Sequence, residues 1–286
     1  AHDIERAVKD GKVASLIGIE GGVAIENDLA MLRAFHRLGA RYMTLTHNKT
    51  LDWADAATDK PKSDGLSTFG ERVVKEMNRL GMLVDLSHVA PSTMADALRV
   101  SKAPVIFSHS SARALCDVPR NVPDDILKDL PKNGGVVMVN FYSGFLVPGA
   151  RGKINAKSEE LKAKSANKEE AEKAYHEWMK TAVEVRGTIT TLVDHIDHIV
   201  KVAGIDHVGI GSDFDGINMW PVGLEDVSDY PRITEELLRR DYSEADIHKV
   251  LGGNVLRAFR EAGEVAADLR RTTSPEVDSP RGVPEN

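Results

Sequence analysis

Five apolar runs in this sequence end on a residue that can bind a metal or move a proton. LIGIEGG carries Glu20, MTLTHN carries His47, LVDLSH carries His88, VIFSHSS carries His109 and VGIGSDFDG carries Asp213. A sixth run, GVVMVNFY, ends without one. A hydrophobic core needs no histidine after a Val, Ile or Leu run, so packing alone does not account for five in series. Imidazole nitrogens and carboxylate oxygens are ligands for zinc and related divalent ions. A carboxylate beside such an ion can also serve as general base toward water. Metal-assisted hydrolysis is the chemistry these residue types offer together.

Each residue also has a plainer use. Glu20 in IEGG could bridge two ions, one carboxylate oxygen to each, or could cap a helix or sit in a salt bridge. The glycines behind it permit a sharp turn and a close backbone approach. His88 and His109 lie 21 residues apart, one strand–helix unit. That spacing puts both imidazoles at the same end of neighbouring strands. His47 could be a third ligand, a donor to a substrate oxygen or a structural hydrogen-bonding group. Asp213 could bind metal or act as general base, whereas Asp215 before Gly216 reads as a turn former. Arg120 in RNVPDD could hold a carboxylate bidentately or form a surface ion pair. His195 and His198 share a helix face but lack the HExxH pattern, so they read as packing residues. Cys116 has no protease signature around it and no GxSxG elbow exists, which disfavours covalent catalysis.

The elements that must position these residues alternate between strand and helix. Strands are expected over 13–19, 42–46, 82–86, 105–108, 135–141 and 207–211. A helix-like start over 4–9 precedes them. The spacing of Leu29, Leu32, Phe35 and Leu38 predicts a helix that Gly39 stops. Ser67 or Thr68 with Glu71 opens a helix over 68–80, and Pro91 suits the first turn of one over 91–100. Asp124 and Asp125 mark the first turn of a helix that RNVPDD leads into. Further helices are expected over 188–203, 233–240 and 244–262. The polar loop 48–66 is long for a compact domain and reads as functional. The Lys-, Glu- and Ala-rich run 149–182 reads as a solvated helix or helical hairpin, or else as a lid or subunit contact. Alternation with near-continuous apolar strands indicates α/β architecture with a parallel sheet. Six strands suit an open sheet, whereas a (β/α) barrel has eight.

Length and charge narrow the classes further. The 286 residues carry 42% hydrophobic and 28% charged residues, ordinary for a globular protein. The formal net charge of -7 supplies no basic stripe for phosphates, so a nucleic-acid partner is not expected. One cysteine excludes an internal disulfide framework. No run is apolar enough for a transmembrane helix, and no apolar segment at the N-terminus reads as a signal peptide. A soluble protein, cytoplasmic or periplasmic, is the expectation.

The series GIEGG, LTHN, DLSH, FSHSSAR, RNVPDD and GSDFDG, in this order, resembles the membrane (renal) dipeptidase family. The likeness runs from about Asp3 to Phe259. It implies a (β/α)8 TIM-like barrel of the metal-dependent hydrolase type over 1–271, followed by a Pro-rich tail over 272–286. The implied activity is zinc-dependent hydrolysis of a dipeptide, with two Zn2+ ions; a homodimer is compatible with it. By resemblance Glu20 bridges both zincs, and His88 and His109 hold the second. His47 contacts substrate and its oxyanion, Arg120 meets the substrate carboxylate, and Asp213 shuttles the proton. One motif of the family, a first strand ending in His-x-Asp, has no match here. The sequence is therefore expected to lack two N-terminal strands and two ligands of one zinc. A non-catalytic metal-binding remnant, or a related barrel amidohydrolase or lactonase, are the alternatives.

Overall fold

The structure, a computed structural model, describes residues 1–276. In chain order it opens with α1 (His2–Lys9), β1 (Ile17–Glu20), α2 (Leu29–Arg37), β2 (Ala40–Thr44) and α3 (Thr68–Leu80). β3 (Leu83–Asp85), α4 (Pro91–Val100), β4 (Ile106–Phe107), α5 (Asp124–Asn133) and β5 (Val136–Val139) follow. Next come α6 (Ser143–Leu146), α7 (Ala150–Lys164), α8 (Lys168–Thr181), α9 (Val183–Arg186) and α10 (Ile189–Ala203). β6 (Val208–Ile210), α11 (Tyr230–Arg239), α12 (Glu244–His248) and α13 (Asn254–Thr272) complete it. The strand order is β1-β2-β3-β4-β5-β6. The described residues form two compact units, one of residues 1–107, 129–136 and 253–276, the other of 108–128 and 137–252.

The first unit is built on parallel strands in register, with Glu20 opposite Thr44, Thr44 opposite Asp85, and Asp85 opposite Ile106. The start of β5 joins them, because the Val136 N–H donates to the Val105 carbonyl at 3.1 Å. Local chemistry sets the helix ends. The Asp28 carboxylate accepts the Ala30 N–H at 2.6 Å and opens α2. Ser67 caps α3, and Gly81 ends it with φ +78, a conformation that glycine adopts without strain. Ala258, Ala262 and Ala266 are buried along one side of α13, and their small side chains let that helix approach α3 closely.

The second unit pairs β5 with β6 in parallel, Val137 opposite Val208 and Val139 opposite Ile210. α10 opens with a capping box between Thr188 and Thr191 and packs on β6. The charged run 149–182 is a helical hairpin, α7 against α8. Its inner side buries Ile154, Tyr175 and Met179 together with Met219.

Two expectations need correction. The run 13–19 was expected to be a buried strand, yet Val13 is 96% and Ile17 57% exposed. The strand is only four residues long and pairs with β2 alone among the described residues. A single helix over 244–262 is instead split at Lys249–Gly253, where Gly252 leaves the helical region, and α13 then runs on to Thr272. Two consecutive glycines, poor helix formers, stand there. The Pro-rich tail, with Pro280 and Pro284, lies mostly outside the described residues.

Candidate functional site

Glu20, His47 and His88 meet in the first unit, each just beyond or at the carboxyl end of β1, β2 or β3. His88 Nε2 lies 3.1 Å from Glu20 Oε1, and His47 Nε2 lies 4.0 Å from the same oxygen. The two imidazoles are 4.5 Å apart between ring centroids. His88 is buried, while Glu20 and His47 are about half open to solvent. Gly22 is needed for this approach: a Cβ there would lie 2.5 Å from the Trp53 ring and 2.6 Å from the Leu45 carbonyl.

His88 adopts φ +69, an uncommon region for a non-glycine residue. Its carbonyl is held there by the Ala57 N–H at 2.7 Å and the Thr46 hydroxyl at 3.4 Å. The long loop 48–66 thus reaches the strand-end set through Ala57. Buried Asp55 organises that loop. Its carboxylate accepts the N–H groups of Lys62 at 2.6 Å, Gly65 at 2.9 Å and Ser63 at 3.3 Å. Asp85, also fully buried, accepts from the Thr44 hydroxyl at 2.8 Å and the Ser87 N–H at 3.0 Å, and so ties β2 to the turn that carries His88. Neither aspartate stood out in the sequence. Each lies in a polar or apolar stretch with no partner visible until the chain folds.

His109, Arg120 and Asp213 belong to the second unit. His109 is buried, and its Nδ1 lies 2.8 Å from the Ser108 hydroxyl. Arg120 is only 3% exposed, which removes the surface ion pair as its explanation. Its guanidinium lies over the Phe145 ring at 5.2 Å and donates to the His109 carbonyl at 3.4 Å. Asp213, like His88, has a positive φ, +62. Its Oδ2 accepts from Asn140 Nδ2 at 3.0 Å, and the Asn140 Oδ1 accepts the Tyr142 N–H. The strand run that ended without a ligand therefore ends on a positioning amide. Asn140 escaped notice because it neither titrates nor ranks among common metal ligands. Gly216 also serves Asp213, because a Cβ at that position would lie 2.2 Å from Oδ1.

His195 uses both ring nitrogens on backbone, accepting the Ala112 N–H at 3.1 Å and donating to the Leu146 carbonyl at 3.0 Å. Burial lowers its pKa to about 4, and the Leu146 bond opposes this in part. His198 Nε2 lies 2.8 Å from Asp124 Oδ1. Both are structural.

The donor set suits a divalent ion. Tetrahedral zinc with bonds near 2.05 Å separates its ligand atoms by roughly 3.3 Å. The observed 3.1 and 4.0 Å fall on either side of that value, and one carboxylate with two imidazoles is zinc chemistry. Parallel strands ending in such a set define the class of α/β metal-site hydrolase folds.

The comparisons with known proteins narrow the class. The family model described as Membrane dipeptidase (Peptidase family M19) matches residues 1–273. The chain belongs to this family of metallopeptidases. It is 42% identical to Dipeptidase 3 of Macaca fascicularis over 276 residues, 95% of this chain and 49% of that relative. The chain thus spans about half the length of the curated relatives it matches. Among solved structures it is similar to the probable dipeptidase PvdM from Pseudomonas aeruginosa, with a TM-score of 0.80 and 31% identity over 93% of this chain and 73% of that one. It is also similar to a metallo peptidase from Rhodobacter sphaeroides liganded with a phosphinate mimic of the dipeptide L-Ala-D-Ala. There the TM-score is 0.73 and the identity 26%, over 91% of this chain and 67% of that one. These likenesses bear out the expected α/β fold of the TIM-like barrel type. No described helix is long and apolar enough to cross a membrane.

Proposed function

We propose that the chain hydrolyses the amide bond of dipeptides with zinc as its cofactor. The observation that carries this reading is the convergence of Glu20, His47 and His88 at strand ends in a chain of the dipeptidase family. Glu20 and His88 would hold zinc, with His109 as a further ligand in keeping with the family pattern, which implies two ions. Bound zinc would supply Lewis acidity toward the scissile carbonyl and toward water.

The remaining roles fall to groups of the chain itself. Asp213, oriented by Asn140, takes the proton from the attacking water and passes it to the leaving amine. Arg120 pairs with the substrate carboxylate from a buried position, where a charge-assisted bond is strong. That contact limits the length of peptide that fits. His47 has two roles open to it, ligand or donor to the oxyanion, and its half-open position suits contact with substrate. The dipeptide mimic bound by the Rhodobacter sphaeroides relative supports a dipeptide as the substrate class.

A panel of dipeptides, assayed with added Zn2+ and again with chelator, tests the proposal. Zinc-dependent release of amino acids is the expected result. A folded, zinc-loaded chain inactive across the panel would instead favour the non-catalytic metal-binding alternative.

A further inference from the structure

The second unit contains a cavity of about 410 Å3 between the α7–α8 hairpin and the segment 217–220 that follows Asp213 in the chain. Lys162, Lys168, Glu172, Tyr175, His176 and Trp220 are among the residues that line it. None of them belongs to the strand-end set. Its size is within the range of small-molecule sites.

The polar groups of this wall are incomplete. Tyr175 is 8% exposed, and neither its hydroxyl nor the Trp220 Nε1–H has a hydrogen-bond partner among the described residues. Buried donors without an acceptor are rare, because they lose water and gain nothing in return. Burial, with a smaller contribution from Tyr142, pushes the Tyr175 hydroxyl above its ordinary pKa, so it remains a donor at neutral pH. The charges are also uneven. Lys168 is engaged by Glu172 at 3.4 Å, and His176 Nδ1 by the Glu172 carbonyl at 2.7 Å. Lys162 has no salt bridge among the described residues. The wall's carboxylate, Glu172, is taken up by Lys168, which leaves the Lys162 ammonium, the Tyr175 hydroxyl and the Trp220 N–H as donors for an incoming acceptor. The Tyr175 and Trp220 rings meanwhile pack on the apolar cluster of Ile154, Met179 and Met219, which suits a molecule with an apolar body.

We propose that this cavity binds a small organic carboxylate, its charged end at Lys162 and the Tyr175 hydroxyl and its apolar body against Trp220. The proposal does not rest on the dipeptidase reading, because no residue of that reading lines the cavity.

Calorimetric titration of the full chain with benzoate, in chelator, tests it. Saturable one-site binding is expected, weakened about tenfold or more by Lys162→Met and by Tyr175→Phe, as for loss of a charge-assisted bond. Benzyl alcohol, of similar shape but neutral, should bind at least about tenfold more weakly than benzoate. Glu20→Gln should leave benzoate binding unchanged. Lys162 is exposed, so its variant is expected to stay folded and decides the matter even if Tyr175→Phe melts early. The proposal is overturned if no binding saturates up to about 10 mM. It is equally overturned if Lys162→Met binds as tightly as the parent, or if benzyl alcohol matches benzoate.

Discussion

Asp55→Ala is expected to weaken both the fold and the metal site, although Asp55 is not itself one of the strand-end residues. The Asp55 carboxylate accepts three backbone N–H groups, from Lys62, Ser63 and Gly65. The Gly65 N–H is buried and has no route to water once the carboxylate is gone, a loss of about 2 kcal/mol for a bond to a charged acceptor. Lys62 and Ser63 are nearer the solvent and rehydrate, so together they add about 1 kcal/mol. A total near 3 kcal/mol, at about 2–4 °C per kcal/mol for a chain of this size, lowers Tm by about 6–12 °C. The melt is run on metal-free protein so that zinc binding does not mask the loss. Asp52→Ala, which removes only an exposed ion pair with Lys62, is the control and should change stability by less than about 1 kcal/mol. The second readout is zinc affinity. The loop that Asp55 shapes supplies the Ala57 N–H that fixes the His88 carbonyl, so affinity should fall about tenfold, as for other groups that orient a ligand. An Asp55→Ala protein that melts within about 2 °C of the parent would refute the reasoning. So would unchanged zinc affinity.

Other perturbations have similarly definite outcomes. Asn140→Ala should lower kcat about 10- to 100-fold with little change in KM, because it disorients Asp213 without touching substrate contacts; a change confined to KM would contradict that role. His195 is neutral when folded, with its pKa lowered to about 4, so the unfolded chain binds the extra proton first and stability is lost as pH falls below about 6.5. Between pH 7 and 5 the parent should lose about 2 kcal/mol from this group, a loss absent from His195→Gln; equal pH slopes in denaturant melts would refute it. Arg186→Ala should loosen the segment 220–225, since the buried guanidinium donates to the Trp220 and Pro221 carbonyls and pairs with Glu225. A loss of about 2 kcal/mol is expected, with new proteolytic cleavage in that segment; an unchanged cleavage pattern would count against the clamp.

The strand-end pattern was legible because it depends on two local properties, apolar runs and the residue that follows them. It marked six strands along the chain, and it marked Glu20, His47 and His88, which the fold brings together. The helix starts at Ser67 and Pro91 were equally local, set by side-chain capping and a fixed φ. What escaped was set by tertiary context. Asp55 and Asp85 are buried acceptors whose donors lie on other segments or in a folded loop. Asn140 became significant only because Asp213 folds back onto it. The exposure of Ile17 could not be read either, because an apolar run reports what a strand could bury and not whether a neighbour covers it. The break at Gly252 was marked by two adjacent glycines, but the helical periodicity on either side outweighed them.

The central claim is that the strand-end donors hold the catalytic metal. An anomalous difference map at the zinc edge, from a crystal of the zinc-loaded chain, tests it most directly. A peak at bonding distance, roughly 2.0–2.2 Å, from Glu20 and His88 is expected. A zinc-loaded crystal with no peak at Glu20, or with its strongest peak on other side chains, would contradict it.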